Sequence, residues 1–102
     1  MYIVDDEESV REGVRIALEP VYRVRTFPDA ESALATVQEE TPDLILMDIG
    51  LPGMCGIDAI RAVKAVRPEV VIVVITAYED VQTVVQAMKA GAFDYVVKPL
   101  HA

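Results

Sequence analysis

The sequence predicts an α/β domain built on a doubly wound, five-stranded parallel sheet, and three observations lead to that fold class. Five short apolar runs alternate with amphipathic stretches of helical period, joined without a long linker, repeat or low-complexity tract. The runs at 44–47 and 70–75 are apolar at every position, as strands covered on both faces are. A length of 102 residues provides for one core and no second, and 53% hydrophobic against 25% charged residues is a folded composition.

Taken in order, Tyr2 to Val4 opens as a strand. Ser9 to Glu19 follows as a helix with Val10, Val14, Ala17 and Leu18 at inward spacing, ended by Pro20. Val21 to Phe27 reads as a second strand, and its alternation of Arg23 and Arg25 with Tyr22, Val24 and Thr26 marks a sheet edge. Asp29 caps the next helix, 29–38, whose inward stripe is Ala30, Ala33, Leu34 and Val37. Leu44 to Met47 forms the third strand. A turn-rich segment from Gly50 to Gly56 leads into a helix from Ile57 to Val66, stopped by Pro68. Val70 to Ile75, six β-branched residues in a row, is a central strand. Asp80 to Ala90 is helical with Val81, Val84, Val85 and Met88 inward, Gly91 takes the C′ position, and Phe93 to Val97 is the fifth strand.

Nine basic against seventeen acidic residues give a net charge of −8. That field repels nucleic acid and anionic membranes and attracts cations. No run reaches the roughly 18 apolar residues of a membrane span, and no basic segment followed by an apolar one opens the chain. The single Cys55 leaves no internal disulfide and no Cys-rich zinc site. A cytoplasmic protein that binds neither nucleic acid nor membrane directly is expected.

In sheets of this kind ligands sit outside the carboxyl ends of the strands. Those ends carry Asp5 and Asp6 after the first strand, Asp48 after the third, Thr76 after the fourth and Lys98 after the fifth. Three carboxylates crowded together repel by about 4 kcal/mol per pair at ~4 Å and an effective dielectric near 20, so they need a cation. Hard oxygen donors suit Mg²⁺. Lys98 and the Thr76 hydroxyl then offer a charge and a donor to a phosphoryl group, and Asp48 is placed as its nucleophilic acceptor. Asp6 or Glu7 could instead cap the first helix, but Asp5-Asp6-Glu7-Glu8 is more acid than one cap needs.

The residues Val4-Asp5-Asp6-Glu7, the stretch from Leu46-Met47-Asp48 to Gly56, Ile75-Thr76-Ala77, and Ala90-Gly91-Ala92-Phe93-Asp94-Tyr95 leading to Lys98-Pro99 resemble the receiver domain of two-component response regulators over the whole chain. The stretch from Thr76 to Tyr95 is similar to receivers of the nitrogen-regulation (NtrC) type. The resemblance implies the strand order 2-1-3-4-5 and a Mg²⁺ site made by Asp5, Asp6, Asp48 and the carbonyl of Gly50. It implies phosphoryl transfer from a sensor histidine kinase to Asp48, with Thr76 and Lys98 contacting the phosphoryl group. It further implies a switch through Thr76 and Tyr95, a phosphoryl lifetime tuned at Gly50 and Tyr78, and a cis Lys98-Pro99 peptide. The state would pass through the fourth helix and fifth strand to an output domain or effector in transcription control, with a homodimer left open. No metabolic substrate is expected beyond self-phosphorylation and slow autodephosphorylation.

A flavodoxin-like cofactor binder would need a small, uncharged first loop, where this chain presents four carboxylates. A Mg²⁺-dependent aspartyl-phosphate phosphatase would carry its nucleophile in a D-x-D at the first strand, absent here; a phosphorylation-independent docking module would not need the full acidic set. With that strand order, right-handed crossovers put the first helix on one face and the next three on the other. The chain 1–102 is therefore expected to be one receiver domain truncated before a last helix that covers the first face.

Overall fold

The computed structural model describes residues 1–49, 56–76 and 81–97, with the side chain of Val81 set aside. The elements run β1 (Tyr2–Val4), α1 (Glu8–Leu18), β2 (Arg25–Phe27), α2 (Ala30–Glu39), β3 (Leu44–Asp48), α3 (Gly56–Val66), β4 (Val71–Thr76), α4 (Val81–Ala90) and β5 (Asp94–Val97). All strand pairs are parallel and the sheet order is β2-β1-β3-β4-β5, as expected.

The local signals act where the sequence places them. The Asp29 carboxylate accepts the Ser32 N–H at 2.8 Å and so caps α2. At the end of α4, Gly91 has φ +121°, which a side chain rarely tolerates. The Gly91 N–H reaches the Met88 carbonyl at 3.2 Å and the Ala92 N–H the Ala87 carbonyl at 3.1 Å, the paired closure of a Schellman turn.

The core lies between the sheet and α2, α3 and α4, where Tyr2, Val4, Ile45, Met47, Ile72 and Val74 meet Ala33, Val37, Ile60, Val63 and Ala87. On the opposite face α1 lies over β1 and β2. There Ile3 and Ile75 are buried, whereas Leu44, Leu46, Val71 and Val73 are only half-buried and Val96 is exposed. Among the described residues no helix covers β3 to β5 on that side. No helix among them is long and apolar enough to cross a membrane.

Three expectations are corrected. β2 is shorter than 21–27, because the Val21 and Tyr22 N–H groups both turn back to the Leu18 carbonyl and are lost to the ladder. α1 buries no residue completely: Val10, Val14 and Leu18 are half-buried and Ala17 is exposed, since the helix has sheet beneath only part of its apolar stripe. On α4 it is Ala87 that is buried, while Val85 and Met88 are both 41% exposed. α4 packs beside α3, and the small Ala87 permits close approach there. The other boundaries differ by one residue.

Candidate metal and phosphoacceptor centre

Parallel pairing decides which side chains meet. Val4 stands opposite Met47, so the next residues, Asp5 and Asp48, emerge side by side where β1 and β3 end. Asp48 is opposite Ile75, which leaves Thr76 one step further along β4, and Thr76 is opposite Val97, the residue before Lys98.

One carboxylate oxygen from each of Asp5, Asp6 and Asp48 lies within 4.8 Å of the other two. Asp5 is fully buried and Asp48 nearly so at 7% exposure, while Asp6 is exposed. Thr76 is buried at the neighbouring strand end. Asp5 is held from several directions. Its N–H donates to the Phe27 carbonyl at 3.1 Å, and its Oδ1 accepts the Glu7 N–H at 2.8 Å. Its own carbonyl accepts from the Arg11 guanidinium at 2.7 Å. Glu7 occupies the position before α1 but its side chain makes no capping hydrogen bond, and the first turn itself holds Glu8, so capping does not account for Asp5 and Asp6.

The donor set fits a hard divalent cation. All three side-chain groups are carboxylates, and two of them are buried at a separation where their charges repel. The arrangement is an acidic triad of the kind typical of a divalent-metal site. Gly50, Tyr78 and Lys98, the other residues singled out by sequence, lie outside the described residues, as does the Lys98-Pro99 peptide. Tyr95 is on β5 opposite Val74, so by strand alternation it shares a face with Thr76, and its ring is 46% exposed. Arg11 is the contact that the sequence reading passed over. Its one signal is a cation in the first turn of a helix, the end of the dipole that disfavours it.

Fold and site together define a doubly wound domain with an acidic cluster at the carboxyl edge of its sheet. The chain belongs to the response regulator receiver domain family, whose profile matches residues 1–102. It is 35% identical over 100 residues to the DNA-binding transcriptional regulator NtrC of Salmonella typhimurium, covering 97% of this chain and 21% of that protein. The chain thus spans about a fifth of the length of the first curated relatives it matches. Among solved structures, the receiver domain of NtrX from Brucella abortus superposes with TM-score 0.89 at 34% identity, over 98% of this chain and 86% of that one. A response regulator from Burkholderia pseudomallei, determined with a phosphorylated aspartic acid, a calcium ion and citrate, gives TM-score 0.91 at 31% identity, over 98% and 59%.

Proposed function

We propose that the chain is a phosphorylation-controlled switch that accepts a phosphoryl group on Asp48 from a sensor histidine kinase and passes that state to an output domain or partner in transcription control. The observation that carries the reading is the convergence of Asp5, Asp6 and Asp48 where two adjacent strands end, with Thr76 at the next strand end. Two relatives lend it support: NtrC is a transcriptional regulator, and the Burkholderia response regulator was determined with a phosphorylated aspartic acid and a calcium ion.

Asp5, Asp6, Asp48 and the Gly50 carbonyl would hold Mg²⁺, which when bound neutralises charge on the incoming phosphoryl oxygens. An Asp48 carboxylate oxygen forms its bond to phosphorus as the bond to the donor's imidazole nitrogen breaks, and the electron pair leaves with that nitrogen. Burial keeps the Asp48 carboxylate directed along the strand end instead of into solvent. The Thr76 hydroxyl donates to a phosphoryl oxygen and Lys98 supplies a positive charge. The dianion that results draws Thr76 toward it, and the room this vacates is taken up by Tyr95, which shares the Thr76 face of the sheet. Gly50 offers no side chain to orient an attacking water and Tyr78 is bulky enough to shield such a group, so a long-lived acyl phosphate is expected.

Incubation with acetyl phosphate and Mg²⁺ tests the reading, with intact-mass and peptide mass spectrometry as the readout. One hydroxylamine-labile phosphoryl group on Asp48 is expected, and none on Asp48→Asn. A stoichiometric acyl phosphate on Asp48→Asn, or steady turnover of assorted phosphoesters by the wild type, would overturn it.

A further inference from the structure

Arg11 is out of place for the helix that bears it. It lies in the first turn of α1, where the exposed N–H groups and the dipole favour anions, and one turn further on it would have escaped that penalty. Its guanidinium does not spread into solvent. It is half-buried and donates at 2.7 Å to the backbone carbonyl of Asp5. That carbonyl lies just past β1: the Asp5 N–H still bonds to Phe27, while Asp6 is already in the turn. Asp5 is therefore pinned by its N–H, by its Oδ1 on the Glu7 N–H and by its carbonyl on Arg11. The Arg11 bond is the one among these that a side chain supplies from the helix, and it ties the turn carrying both Asp5 and Asp6 to α1.

We propose that Arg11 is a positioning residue of the acidic centre: by holding the Asp5 carbonyl it fixes the β1–α1 turn in the geometry that brings Asp5 and Asp6 within 4.8 Å of Asp48. The inference rests on the metal-site reading of that triad. It makes a prediction opposite in sign to a purely electrostatic role. A guanidinium close to a cation site repels the cation, so if Arg11 acted through its charge alone, as a counter-ion for Asp5 to Glu8, its removal would tighten metal binding. If it acts by positioning, removal loosens binding, because partners that orient the ligands of a metal are worth about tenfold or more in affinity.

Mn²⁺ binding to the full chain, followed by the electron paramagnetic resonance signal of the free ion, separates the two. Arg11→Met keeps the aliphatic stem and deletes the donors, and it is expected to weaken Mn²⁺ binding by about tenfold relative to the wild type. Arg11→Lys keeps one donor able to reach a carbonyl and is expected to recover most of that loss. Equal or tighter binding by Arg11→Met, or a Lys variant as weak as the Met variant, would overturn the proposal. Far-ultraviolet circular dichroism checks folding. Should Arg11→Met not fold, Arg11→Leu carries the same comparison, with weaker binding expected and equal or tighter binding counting against the proposal. A wild type that binds no Mn²⁺ would instead overturn the metal-site reading, and so the two failures are distinct.

Discussion

Replacing Asp48 with Asn is expected to make the metal-free protein more stable while removing most of its response to Mg²⁺. The carboxylate oxygens of Asp5, Asp6 and Asp48 lie within 4.8 Å of one another. Two unit charges at that distance repel by about 3 kcal/mol at an effective dielectric near 20, which suits the buried Asp5–Asp48 pair. Asp6 is exposed, so its repulsion of Asp48 is screened toward the value in water, about 1 kcal/mol. Asn keeps the shape of the side chain and discards both repulsions, at the cost of seating an amide N–H₂ where an oxygen was. A net gain of about 1–3 kcal/mol is expected, a rise in Tm of roughly 4–8 °C per kcal/mol for a domain of this size. Saturating Mg²⁺ narrows or closes that gap, since a ligand at about 100 times its Kd stabilises the wild type by about 2.7 kcal/mol and the variant, one ligand short, by much less. Urea unfolding followed by circular dichroism, with and without a chelator, measures both effects. An Asp48→Asn protein less stable than the wild type in chelator, or equally stabilised by Mg²⁺, would refute the argument.

The glycines of the two helices on opposite sheet faces respond oppositely to alanine. A Cβ on Gly13 would meet nothing within 4 Å, so Gly13→Ala is expected to stabilise by about 0.5–1 kcal/mol in thermal or urea unfolding. A Cβ on Gly56 would lie 2.5 Å from the Ile49 Cα, which is backbone, and Gly56→Ala is expected to destabilise by about 1–3 kcal/mol in the same assay. Acid sensitivity follows from two carboxyls held below their ordinary range, Asp29 by the Ser32 backbone N–H, and Glu40 by the Tyr2 hydroxyl and then Arg25. Because their folded values are the lower ones, their stabilisation is complete above about pH 5 and is lost as the pH falls through the folded values. Asp29→Asn and Glu40→Gln are therefore expected to flatten the acid limb of a stability–pH curve. Residues 1–102 are expected to bind a hydrophobic dye and self-associate through the half-covered Leu44, Leu46, Val71, Val73 and exposed Val96. A monomeric, dye-silent, cooperatively folded 1–102 would contradict this.

Much of this architecture was legible because its signals are local. Asp29 followed by Ser32, Gly91 after an amphipathic run, and the β-branched run at 70–75 each specify their own geometry from neighbours in the chain. The acidic centre was legible for a related reason, since a parallel sheet gathers its strand ends on one edge whatever the packing above it. What could not be read depended on contacts between elements. The α4 sequence is apolar on more than one side, and only the approach of α3 selects Ala87 over Val85 and Met88. Val21 and Tyr22 have the composition of a strand, yet their N–H groups are taken by Leu18. Arg11 meets a backbone carbonyl six positions away, a pairing whose one trace in the sequence is a cation near the start of a helix.

The close approach of Gly56 to Ile49 bears on how steadily the neighbouring carboxylate is carried. The Ile49 N–H is tied to the Ile75 carbonyl of β4 at 3.2 Å, and the start of α3 rests against the Ile49 backbone, so the residue after Asp48 is held from two elements at once. A side chain at 56 would press on that backbone, and the Asp48 carboxylate would move with it. A glycine on a helix thus sets the tolerance within which a buried acid is delivered to its strand end.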